Sequence, residues 1–112
     1  MDAKFELLHY ATANRKVVFV EWLESLKDKQ AQARIVARLD RVVAGNFGDC
    51  RPVGEGVSEL RIDYGPGYRV YFAMTTSNIV LLLCGVDKRR QSADIARAIE
   101  YLKDYKRRSG TK

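Results

Sequence analysis

Apolar residues change their period several times along the chain, and each change marks an element. Residues 5–10 read as a short first strand, followed by a loop at 12–15. Phe19, Trp22, Leu23 and Leu26 then fall at i, i+3, i+4 and i+7, one stripe of an amphipathic helix. Lys27, Asp28 and Lys29 interrupt it. A second helix is predicted with Ile35, Val36, Leu39, Val42 and Val43 on one face and Arg34, Arg38 and Arg41 largely off it, stopping at Gly45-Asn46. Two helices separated by so short a break form a hairpin whose apolar stripes need a sheet to cover.

The middle of the chain alternates instead. Leu60 and Ile62 point one way, Arg61 and Asp63 the other. Tyr64-Gly65-Pro66-Gly67 is a turn, because proline presets its own φ and glycine admits a positive one. Alternation resumes over 68–72, with Val70 and Phe72 opposite Arg69 and Tyr71. Residues 79–84 are apolar without alternation, the pattern of a central strand covered on both faces. Arg51-Pro52-Val53 starts an earlier strand, with Pro52 at its beginning or on an edge, and Gly54-Glu55-Gly56 turns into the next. A last helix is expected from a Ser92 cap, with Asp94 in its first turn and Ala98, Ile99, Leu102 and Tyr105 as its stripe. Strand, two helices, about four strands and a helix make an α+β chain with a mostly antiparallel sheet.

At 112 residues the chain suits one domain, 1–112, with a basic tail over about 106–112. The longest apolar run is far short of the ~20 residues a membrane helix needs, and the first six residues lack a secretory layout. Cys50 and Cys84 stand alone, with no second thiol or histidine at metal spacing, so a reducing, cytoplasmic setting is expected. The charge is uneven. Residues 1–87 carry 11 Lys and Arg against 11 Asp and Glu, so the whole net charge of +6 lies in 88–112. Such a block suits a polyanion or an acidic partner, or is simply a solvated helix with a ragged tail.

The hairpin 59–72 carries most of the candidate chemistry. If Leu60, Ile62, Val70 and Phe72 face a core, Arg61, Arg69 and Tyr71 share the opposite, wetter face. Guanidiniums bind phosphate bidentately and a tyrosine ring can stack on an unpaired base. The plainer alternative pairs Arg61 with Asp63 or Glu59 and makes Tyr71 half-buried sheet surface. Lys88, Arg89 and Arg90, at a strand end ahead of a helix, could steady a developing phosphorane, or could be an ordinary solvated loop. Gly85 would let the chain leave the sheet. His9 has no partner pattern around it, Trp22 reads as a packing anchor, and no metal-ligating cluster, paired-carboxylate site or serine or cysteine nucleophile motif is present. No metal or cofactor is therefore expected.

Several segments together resemble one family. Residues 19–23, Ala33-Arg34-Ile35, Arg41 and Gly45-Asn46-Phe47-Gly48-Asp49 look like the helical half of the RelE/ParE superfamily. The run 56–62, then Gly65-Pro66-Gly67-Tyr68-Arg69-Val70-Tyr71-Phe72, then Leu82-Leu83-Cys84-Gly85 with Asp87-Lys88, Gln91 and Asp94-Ile95, is similar to its HigB-like addiction module killer branch. The resemblance covers roughly residues 5–100. It implies a RelE-like fold: an N-terminal strand and helical hairpin on a mostly antiparallel four- to five-stranded sheet, plus a C-terminal helix.

It also implies the toxin of a type II toxin–antitoxin pair that cuts mRNA on the ribosome without a metal. In that chemistry the RNA's own 2′-OH attacks the adjacent phosphate. The expected partners are the ribosome, mRNA and a helix-turn-helix, HigA-like antitoxin, with no membrane involved. The family's strand arginine matches Arg69, the preceding basic position Arg61, and the basic residues after the last strand Lys88 and Arg89. Arg61, Arg69, Tyr71 and Lys88 are thus the expected catalytic set, with Arg89, Arg90, Gln91 and Asp94 as RNA contacts. The RelE tyrosine that stacks on the substrate base has no counterpart, its place falling at Ile95 or Asp94. Proton transfer then rests on Tyr71, Lys88 or Asp94. The rivals are a ParE-like relative that poisons DNA gyrase by binding, and an inactive homologue that only binds its antitoxin.

Overall fold

The computed structural model describes residues 3–87 and 91–110, with Gln91 described by its backbone alone. Helix α1 (Val18–Ser25) buries Phe19 and ends at Leu26. The Lys27-Asp28-Lys29 break is itself a start signal: Asp28 Oδ1 accepts the backbone N–H groups of Gln30 at 3.0 Å and Ala31 at 3.2 Å and caps α2 (Lys29–Val43). Helix α2 buries Ala31, Ile35, Leu39 and Val42. Val36 was expected on that face but is 43% exposed, one position around the helix from Ile35.

Five strands form one sheet in the order β1-β5-β4-β3-β2: β1 (Glu6–His9), β2 (Cys50–Gly54), β3 (Val57–Ile62), β4 (Tyr68–Thr76) and β5 (Ile79–Asp87). Strand β1 runs parallel to β5, and the remaining pairs are antiparallel. The apolar run in β5 follows from this order, since β5 lies between β1 and β4 with helices on both faces. Strand β4 runs four residues beyond the expected 68–72. Pro52 lies in the edge strand β2, where a missing N–H breaks no interior ladder.

Helices α1 and α2 cover one face over Phe19, Ile35, Leu60, Val70, Phe72 and Leu82. Helix α3 (Gln91–Ser109) covers the other over Tyr71, Leu81, Leu83, Ala98 and Leu102. A register shift between β4 and β5 beside Tyr71 turns two consecutive residues, Leu83 and Cys84, toward α3. Ser92 lies inside α3, which begins at Gln91, and not at its cap. Gly85 also differs from expectation. It stays within β5, and a Cβ there would come 2.3 Å from the Trp22 ring, so glycine makes room for the α1 indole.

Candidate functional site

The β3–β4 register sets Arg61 directly opposite Arg69 and Glu59 opposite Tyr71, so all four share one face, as the alternation predicts. That face is wet only at its Arg61 end. Helix α3 covers Tyr71, which is 0% exposed, and Arg69 beside it is 9% exposed. A tyrosine so enclosed cannot stack on a base, which corrects the expected role of Tyr71. Burial, then the charge of Glu59, pushes its phenol far above the ordinary value.

Like charges directly opposite one another repel across a sheet, and each arginine here meets a carboxylate. Arg61 Nε donates to Asp49 Oδ2 at 3.4 Å, at the surface. Arg69 Nε lies 3.3 Å from Oε2 of Glu59, itself fully buried. This second contact is one of charge, because Arg69 Nε makes no directed hydrogen bond among the described residues. Glu59 is held in turn by Arg51 Nε, which donates to Oε1 at 3.1 Å, and by the Tyr71 hydroxyl, which donates to Oε2 at 3.3 Å. Side chains of β2 and β4 thus converge on one carboxylate of β3, which faces Arg69.

Arg38 supports the other member of the pair. Its guanidinium donates to the backbone carbonyls of Phe47 and Asp49, each at 3.0 Å, and of Arg61 at 3.1 Å. This joins α2 to the loop before β2 and to the end of β3. The sequence reads Arg38 only as lying off the apolar face of α2, and offers Glu59 only as a partner for Arg61. The structure instead pairs Glu59 with Arg51 and Arg69 and gives Arg61 to Asp49. Glu59 alternates in phase with Arg61, which was the available signal, whereas nothing in the α2 pattern separates Arg38 from an ordinary solvated arginine.

Arg61 and Arg69 line one cleft of about 320 Å³ with Asp49, Asp63, Gly67 and Tyr68. Strand β5 ends beside it, with Asp87 in register with Tyr68. Lys88, Arg89 and Arg90 follow and lie outside the described residues, as does the side chain of Gln91. Asp94 is buried on a different cleft, of about 330 Å³ between α1 and α3, with Trp22, Cys84, Arg97 and Tyr101. The expected set therefore divides: Arg61 and Arg69 meet, Tyr71 lies behind them in the core, and Asp94 opens elsewhere. Burial, then the nearby Asp94 charge, pushes the Cys84 thiol up to about 12, which keeps it neutral. Among the described residues no three histidine, cysteine or carboxylate side chains group to hold a metal. The first cleft can instead hold an anion between two guanidiniums, Arg69 placed against the buried Glu59 and Arg61 against the surface carboxylate of Asp49.

The family described as Phage derived protein Gp49-like (DUF891) matches residues 21–106. An uncharacterized protein of Haemophilus influenzae is 49% identical over 82 residues, which is 73% of this chain and 83% of that protein.

Proposed function

The chain belongs to the Gp49-like phage-derived family, part of the addiction-module killer and RelE-like toxin group, and from that premise we propose that it is a HigB-like toxin that cuts mRNA on the ribosome, in the cytoplasm. Family membership implies an antitoxin partner. The helix-turn-helix, HigA-like identity of that partner belongs to the proposal.

The observation that carries the reading is the convergence of Arg61 and Arg69, cross-strand neighbours, on one cleft. Two guanidiniums there would grip the non-bridging oxygens of a phosphodiester and stabilise the charge that grows on them. The 2′-OH of the bound nucleotide attacks phosphorus, the bond to the 5′-oxygen of the next nucleotide breaks, and a 2′,3′-cyclic phosphate and a 5′-hydroxyl result. Such a reaction needs positioning more than a protein nucleophile. We assign the proton transfer to Lys88; the burial of Tyr71 and the position of Asp94 on another cleft support that choice.

A short pulse of expression, with transcript 5′ ends mapped and plasmid supercoiling followed in parallel, tests this. New ends within translated reading frames and unchanged supercoiling are expected. Intact transcripts with disturbed supercoiling would make the protein a gyrase inhibitor, and intact transcripts with unimpeded growth would make it an antitoxin-binding homologue.

A further inference from the structure

A second depression, of about 290 Å³, adjoins the first and shares Ile62 and Asp63 with it. Its opposite wall is α2, which contributes Arg34, Arg38 and Arg41. Those positions are i, i+4 and i+7, one stripe of the helix. Among the described residues none of the three is in an ion pair. Asp63 is the one carboxylate in the lining, so three positive charges face one negative. A helix dipole favours a cation in the last turn, where Arg41 stands, but not at Arg34, further up the helix. Arg38 is committed to backbone carbonyls and contributes its field from a fixed place. Arg34 lies over the Tyr64 ring at 4.7 Å, which holds its guanidinium above the β3–β4 turn. Unpaired like charges along one stripe repel, and an anionic chain laid across them relieves that repulsion.

We infer that the α2 arginines form a second phosphate subsite, continuous across Ile62 and Asp63 with the Arg61–Arg69 cleft, for the backbone of an RNA strand flanking the cut. The inference rests on the proposed reading of the protein as an RNA-cutting toxin. Contacts of this kind read charge and not base identity, so they would add affinity without sequence preference.

Fluorescence anisotropy with a nine-nucleotide 2′-O-methyl RNA, which binds but cannot be cut, tests it on the full chain. Arg34→Gln with Arg41→Gln is expected to weaken binding about tenfold, as two exposed ionic contacts would. The slope of log affinity against log salt should fall by about 1.4, from ~0.7 per phosphate contact on a single strand. Arg34→Lys with Arg41→Lys keeps the charge and should bind within about twofold of wild type.

Equal affinity and salt slope in the glutamine variant would overturn the inference. So would an equal loss in the lysine variant, which would assign the effect to packing. Unchanged RNA binding with weakened antitoxin binding would assign the stripe to the protein partner and also end it. Because the probe is uncleavable, a wild type that cuts nothing yet shows the charge-dependent loss would sink the nuclease reading and keep the stripe only as a phosphate subsite for RNA that is bound and not cut.

Discussion

The two faces of the sheet are built from different materials. Beneath α1 and α2 the buried set is almost wholly hydrocarbon and aromatic ring, from Phe19 and Ile35 to Leu60, Phe72 and Leu82. Beneath α3 similar apolar packing surrounds a fully buried carboxylate, a nearly buried arginine and a buried phenol. Burying such ions costs several kcal/mol of desolvation each, and replacing them with hydrocarbon is often neutral or stabilising. The apolar packing of both faces therefore accounts for folding. The second face also carries a charged network that folding does not require and that an oriented Arg69 does.

Adjacent residues of β3 separate the two faces. Leu60→Ala opens a cavity under the helical hairpin and should cost ~2–5 kcal/mol, read as a fall in the urea midpoint with an unchanged m-value. Well below its unfolding temperature the variant should still arrest growth. Glu59→Gln keeps the shape and one of the two acceptor oxygens that Arg51 and Tyr71 use, but removes the charge facing Arg69. Leaving the Arg69 cation buried without its counter-charge should cost as much, ~3–5 kcal/mol, but unlike Leu60→Ala it should abolish growth arrest even well below the unfolding temperature, while antitoxin binding persists. The contrast would break if Glu59→Gln stayed fully toxic. Tyr71→Phe removes one of the bonds orienting Glu59, so ~0.5–1.5 kcal/mol and partial loss of activity are expected.

The smallest effect lies at the far end of α3. Asp104 Oδ2 accepts hydrogen bonds from the Tyr10 hydroxyl at 2.6 Å and Arg108 Nη2 at 2.8 Å. The Arg108 bond first, then the Tyr10 bond, holds the carboxyl down to about 2, against an ordinary 3.8. A carboxyl depressed in the folded state stabilises it above the ordinary value and loses that contribution as pH falls toward 2. Wild type should therefore unfold at higher temperature than Asp104→Asn near neutrality, and the gap should close in acid. A gap independent of pH would assign the difference to packing.

Much of this architecture is legible in the chain. The two helices, the Gly54-Glu55-Gly56 turn, the edge position of Pro52 and the central apolar strand follow from the local pattern. The wetness of the Arg69–Tyr71 face does not. Alternation says that Val70 and Tyr71 point opposite ways, but which side lies under a helix is settled by where α3 docks, some 20 or more residues further on. Arg38 shows the same limit. Its partners are backbone carbonyls of Phe47, Asp49 and Arg61, which leave no trace in side-chain pattern. Gly85 is a close approach to Trp22, visible only once α1 lies on β5.

The convergence of Arg61 and Arg69 on a single phosphate is most directly tested with purified protein on ribosomes programmed with a defined message, comparing Arg61→Gln, Arg69→Gln and the double variant. If both guanidiniums act on one phosphate, each single change should slow cleavage about 10²–10³-fold. The double should then lie close to the weaker single, because groups acting as a unit are not additive. The product of the two single losses in the double variant, or cleavage at the wild-type rate in all three, would contradict it.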